Sequence, residues 1–257
     1  MDIITLLSLV FTLFALVVAF VMEGGVVSSL LQPTAAIIVF GGTLGAVGVS
    51  FPGKQLKKFP KLLIKAFKSK KDDRGLVIEQ LVQMAHKARK EGLLSLEEDA
   101  NSGKYDEFIS TGIHLVSDGM EADEIRGVLE NHIATMEENN EKGIAIFEAA
   151  GGFAPTMGVL GTVMGLVQVL GNLSDPGELG AKIAVAFIAT LYGVGSANIL
   201  WLPLANKLKE LNNLEVRTKE MITEGMLLLR TGGNPEYMKE HLRGYLHEKE
   251  NETEKGQ

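Results

Sequence analysis

The chain has 257 residues, no cysteine, 46% hydrophobic residues and a formal net charge of −7. Without cysteine there is no disulfide framework, thiol nucleophile or thiolate metal site, and none of the five histidines sits one helical turn from another as paired zinc ligands do. Mean hydropathy is slightly positive although 22% of residues are charged, so the apolar residues must lie in blocks.

A hydrocarbon core about 30 Å thick needs roughly 20 apolar residues in a helix. Four stretches qualify, Ile3–Met22, Pro33–Phe51, Ala149–Gly171 and Ile183–Pro203, and none contains Asp, Glu, Lys, Arg or His. The first is read as a span, not a signal peptide: Asp2 precedes it without Lys or Arg, and no small-x-small cleavage site follows. The expected organisation is two spans in 1–51, a helical cytoplasmic domain in 52–148, two spans in 149–203, and a cytoplasmic helix with a polar tail in 204–257.

The loops after spans one and three are short and poor in Lys and Arg. By contrast, Pro52–Lys71 carries Lys54, Lys57, Lys58, Lys61, Lys65, Lys68, Lys70 and Lys71 and no acid. The positive-inside rule therefore places 52–148, 204–257 and both termini in the cytoplasm. The same lysines suit anionic lipid headgroups, a role compatible with setting topology.

From Asp72 to Glu148 the charge reverses and the pattern is amphipathic helix. Leu76, Val77, Gln80, Leu81, Met84, Ala85 and Ala88 mark one helix, which Gly92 breaks. Ser95 with Glu98 reads as a capping box for a short helix. Tyr105–Ser117 reads as another helix. From Glu121 a long helix with Ile125, Val128, Leu129, His132, Met136 and Ile144 on its apolar stripe runs without a stop into span three. Span four likewise continues through Leu204, Leu208, Leu211 and Leu214 and fades near Thr231-Gly232-Gly233. His247–Gln257 reads as a disordered tail. With no strand period anywhere, the fold class is all-α.

Small residues crowd the spans: Gly41, Gly42, Gly45 and Gly48 in span two; Gly151, Gly152, Gly158, Gly161 and Gly165 in span three; Gly193, Gly195, Ser196 and Ala197 in span four. Such residues let membrane helices approach closely, either within one chain or between chains. Thr162, Gln168, Thr190, Tyr192 and Asn198 are polar among apolar neighbours. Each threonine either bonds back to its own helix or faces a wet path and helps to coordinate an ion. Pro155 and Pro203 each remove an amide donor near the cytoplasmic side, as two separate kinks or as a paired hinge. A cation carrier normally uses an ionisable group inside the membrane. These spans supply none, so either no ion moves or a partner brings the carboxylate.

The run from Ala150 to Leu166, AGGFAPTMGVLGTVMGL, with Ala189-Thr190-Leu191-Tyr192-Gly193, Leu202–Leu208 and the charged segment Ala88–Glu97, resembles the MotA family of flagellar stator subunits over nearly the whole chain. The resemblance implies an all-α, multi-pass protein of the bacterial inner membrane. It implies a homo-oligomeric ring, five copies around a dimer of a MotB-type subunit anchored to peptidoglycan, whose single span brings the ion-binding aspartate. It implies a translocated proton or sodium ion with no bound cofactor, metal, catalytic residue or nucleic acid, and torque delivered to the rotor protein FliG. By motif, Arg89 and Glu97 are the rotor-contacting charges, Pro155 and Pro203 the sensitive prolines, and Thr162 and Thr190 part of the ion pathway. Threonine at position 162 goes with sodium-driven members. The alternative within the superfamily is an ExbB- or TolQ-like energiser of the envelope, against which four spans and the Arg89–Glu97 segment argue.

Overall fold

A computed structural model describes residues 2–68, 73–171 and 176–246. Lys70, Lys71 and the tail 247–257 lie outside them. The helices in chain order are α1 (Ile3–Met22), α2 (Pro33–Ala36), α3 (Gly42–Ser50), α4 (Gly53–Leu56), α5 (Phe59–Phe67), α6 (Arg74–Glu91), α7 (Glu97–Asn101), α8 (Glu107–Ser117), α9 (Ala122–Gly171), α10 (Pro176–Ser196), α11 (Leu202–Arg230) and α12 (Pro235–Arg243). Two π-helical turns, Ile37–Gly41 and Ala197–Trp201, join α2 to α3 and α10 to α11. No strand occurs among the described residues.

The chain divides into two compact units: residues 1–69 with 140–210, and residues 70–139 with 211–257. Four helical runs, Ile3–Met22, Val27–Ser50, Ala122–Gly171 and Lys182–Arg230, are long and apolar enough to cross a membrane. They include the four expected spans, and the expectation of unbroken helices through spans three and four holds: α9 has 50 residues, and α10 continues through a π turn into α11.

The first unit has little core of its own kind. Not one residue of α1 is buried, and Ile4, Phe11 and Phe14 are more than 60% exposed. Side chains this apolar and this exposed are stable in lipid, not in water. What is buried is a seam of Ala150, Ala154, Ala197, Trp201, Leu204, Ala205 and Leu208 between α9 and the π turn and start of α11, closed by Phe147 stacked on Phe59 of α5 with ring centroids 4.8 Å apart. On α5, Leu62, Leu63 and Ala66 face this seam while Lys61 and Ile64 stay exposed, as suits a helix along a membrane surface.

The second unit has an ordinary water-soluble core. Ile78, Leu81, Met84 and Ala85 of α6 meet Phe108, Ile109, Ile113 and Val116 of α8, Ile125 and Leu129 of α9, and Met221 and Met226 of α11. Three sequence readings are corrected here. On α6 Leu81, Met84 and Ala85 are buried and Val77 and Ala88 pack against the core as expected, but Leu76 is 60% exposed and Ile78 takes its place in the core. On α9 His132 is exposed and Ile133 takes its place in the core. Ser95 is no capping box: its hydroxyl donates to the Gly92 carbonyl at 2.7 Å, and α7 starts without a side-chain cap. The residue Gly92, at φ 85°, does end α6 as expected. The short helix α12 went unread in the sequence; Asn234 caps it, and Met238 and Leu242 carry it into the core.

Candidate ion pathway and rotor surface

Spans three and four meet backbone to backbone. A Cβ on Gly193 would lie 2.5 Å from the Ala154 carbonyl oxygen and 2.9 Å from the Gly158 Cα, and one on Gly158 2.8 Å from the Ala189 carbonyl oxygen. Gly161 and Gly165 likewise face Ala189 and Ala186, so the GxxxG pair grips span four of the same chain. By contrast, Gly41, Gly45, Gly48, Gly152 and Gly195 have nothing near the place a Cβ would take.

The close approach brings Thr162 and Thr190 together. Their hydroxyl oxygens lie 2.6 Å apart; Thr162 also reaches the Gly158 and Ala186 carbonyls at 3.2 and 2.9 Å, and Thr190 reaches Gly158 at 3.5 Å. Thr162 bonds both to its own helix and across to span four, and Thr190 bonds across to span three. Of the two sequence readings, back-bonding is seen at Thr162. Four oxygens converge at a half-buried point, where two hydroxyl protons serve them and lone pairs remain. Asn198 bonds back to Val194 at 2.9 Å. Tyr192 does something the sequence did not reveal. Its hydroxyl donates to the Leu30 carbonyl and accepts from the Gln32 amide at 3.2 Å, tying span four to the segment before span two.

Pro155 lies within α9, and its missing amide leaves the Gly151 carbonyl without a helical donor. Pro203 is the second residue of α11, directly after the π turn, where Leu202 donates to the Ala197 carbonyl five residues back. The wide turn absorbs the proline's missing bond. The two neighbourhoods touch: a Cβ on Gly151 would lie 2.5 Å from Leu202 and 3.6 Å from Trp201. Among the described residues, Trp201 Nε1 and Thr43 Oγ1 are buried without a hydrogen-bond partner.

A polar clasp stands four residues beyond Pro203. Lys207 donates to the Asp2 carboxylate and to Thr5, while the Asp2 amide donates to the Phe67 carbonyl at 2.9 Å. The lysine hydrogen bond, then that from Thr5, lower the Asp2 pKa to about 2. A second cross-helix ion pair joins Lys209 to Glu148. Both were missed because partners some 205 and 61 positions apart leave no local pattern.

In the second unit Arg89 stands in the last turn of α6 and Glu97 opens α7, both exposed, with the turn Leu93–Leu96 between them. Lys87 donates to Asp99 at 2.7 Å, a bond that raises the lysine's pKa and braces α6 against α7. Among the described residues neither the Arg89 nor the Glu97 side chain has an ion-pair partner.

Four apolar spans free of ionisable groups, packed through small residues, define a multi-pass helical membrane protein of the ion-channel-subunit class. The chain belongs to the MotA/TolQ/ExbB proton channel family, whose description matches residues 100–221, while residues 6–92 match the Motility protein A N-terminal family. It is 39% identical over 253 residues to Motility protein A of Bacillus subtilis (strain 168), covering 96% of this chain and 91% of that protein. It is 37% identical over 248 residues to the chemotaxis protein PomA of Vibrio alginolyticus, covering 96% of each. Among solved structures it is similar to the flagellar MotAB stator complex from Bacillus subtilis, with a TM-score of 0.90, 37% identity, and coverage of 96% of this chain and 97% of that one.

Proposed function

We propose that the chain is the ring-forming subunit of a flagellar stator. With a MotB-type partner it forms a proton- or sodium-conducting channel that converts ion flow into torque on the rotor. The observation that carries this reading is the pairing of Thr162 with Thr190 in spans that hold no carboxylate. Hydroxyl and carbonyl oxygens can replace part of an ion's hydration shell, but the charge that draws a cation into the membrane must come from another chain. The partner's aspartate supplies it, within a ring of five copies around two partner chains.

The lysine-rich segment from Lys54 onward and both termini then face the cytoplasm. Pro155 and Pro203, set around one helix crossing, pass motion in the membrane to the second unit. There Arg89 and Glu97 meet charges of opposite sign on the rotor protein FliG. Work of this kind needs no catalysed reaction. Thr162 favours sodium as the coupling ion, because a proton needs no hydroxyl ligand. A motility-protein relative at 39% identity and a chemotaxis-protein relative at 37% favour the stator over an envelope energiser of the same family.

Swimming speed measured against sodium concentration at fixed pH, with a protonophore control, tests the ion. Speed should rise with sodium and resist the protonophore; the opposite result assigns protons. Pro203→Leu should abolish swimming while the chain still reaches the membrane with its partner. Normal swimming in that variant and in Pro155→Ala would remove the coupling role.

A further inference from the structure

Beside Arg89 lies a cleft that no role described so far uses. Its volume is about 140 Å³. Buried Ala85 and Leu229 form its apolar floor, Ala88 and Leu93 line it further, and Arg89 and Arg230 hold its rim. That is several times the roughly 30 Å³ share of one water, and an apolar floor offers water few partners. The room suits one branched aliphatic side chain.

The two rim arginines are not equivalent. Arg230 is committed: its Nε donates to the Met120 carbonyl at 2.6 Å and its Nη2 to the Gly119 carbonyl at 3.0 Å. It is fixed as part of the wall. Arg89 has no such partner among the described residues. Next to the cleft Leu94 is 71% exposed on the turn Leu93–Leu96, although its neighbour Leu96 is fully buried. One exposed leucine means little alone. In the chain it stands between Arg89 and Lys90, which have no ion-pair partner among the described residues, on one side and exposed Glu97 and Glu98 on the other.

We infer that this cleft is an apolar seat for the rotor: it takes an aliphatic side chain of a protein helix whose adjacent carboxylate pairs with Arg89 and whose basic group, further along, pairs with Glu97. The inference rests on the rotor reading of Arg89 and Glu97 and adds what those charges lack. Exposed ion pairs contribute little affinity by themselves and mainly set register and approach. An aliphatic side chain leaving water for the cleft, with Leu94 covering it, supplies the affinity. The chain order basic Arg89, apolar Leu94, acidic Glu97 then sets which way the partner helix lies.

The test uses full-length chain with its partner subunit in motile cells. Leu94→Ser and the cleft-filling Ala88→Leu should each cut swimming speed and the number of fluorescent stators at each motor about threefold to tenfold. Leu94→Met should retain both. Ion flux through the complex should be unchanged in all three, and the solubilised complex should keep its size. Normal recruitment in Leu94→Ser and Ala88→Leu, alongside its loss in Arg89→Ala/Glu97→Ala, overturns the apolar seat and leaves the rotor reading standing. Normal recruitment in the double charge variant as well removes both. A smaller solubilised complex in Leu94→Ser makes the occupant a second copy of this chain and overturns the proposal.

Discussion

The Thr162–Thr190 pair and the Arg89–Glu97 surface are built on opposite principles. The threonines are held by contacts inside one chain, two hydroxyls and two carbonyls with glycine backbones pressed together on either side, and keep only spare lone pairs. The charges of the second unit are braced from behind by Lys87 and Asp99 but left open in front. The first arrangement has its geometry settled before any ion arrives, so its cost of organisation is met during folding. The second holds unspent charge, whose worth depends on what comes to meet it.

Substitutions can break or sharpen this contrast. The largest effect is expected at the helix crossing. Gly193→Val places a side chain where the Ala154 carbonyl and Gly158 Cα already stand, and only a backbone shift can admit it. Overpacking of this kind costs about 1–3 kcal/mol or more. Thermal unfolding of the purified complex should show the loss, together with absent motility, whereas a charge-surface variant such as Arg89→Ala should unfold at the parental temperature.

Thr162→Val removes one hydroxyl at nearly constant shape. Thr190 can still turn to the carbonyls, so stability should fall by only about 1 kcal/mol. Swimming speed should fall further than stability does and should need more sodium to reach half its maximum. An unchanged sodium dependence would take the hydroxyl out of the ion's path.

The smallest effect is expected at Asp2. Its folded pKa lies near 2, below the ordinary 3.8, so its contribution is present above about pH 3.8 and is lost as pH falls through about 2. Asp2→Asn should flatten the acid limb of the stability curve in that window and leave neutral-pH stability slightly lower. An acid limb of parental shape would mean the clasp with Lys207 does not form in the membrane.

Much of this was legible along the chain. Uncharged runs gave the spans, because the bilayer admits little else, and between Glu121 and Ala149 there is no proline and only the isolated Gly127 and Gly143, too little to stop α9. The positions of Thr162, Thr190, Pro155 and Pro203 were visible as polar or stiff residues in apolar surroundings, but their meetings were not: Thr162 and Thr190 are 28 positions apart and join only because Gly158 and Gly193 let two backbones touch. Faces in the second unit were harder to read. Leu76 and Ile78 are both apolar and two positions apart, nearly opposite on a helix, and only the packing of α8 and α11 decides which is buried. Ser95 was read as a cap from its spacing to Glu98, but the turn at Gly92 offered its hydroxyl a nearer carbonyl.

The π turn at Ala197–Trp201 carries a consequence for how such a chain can change. It holds one residue more than a regular turn would. Deleting that residue would restore ordinary winding, but it would also swing everything downstream by about 100° around the helix axis. Leu204, Ala205 and Leu208 would leave their partners together, and Lys207 would point away from Asp2. The irregularity is thus locked in by its own downstream register: it can be exchanged residue for residue, but not trimmed out.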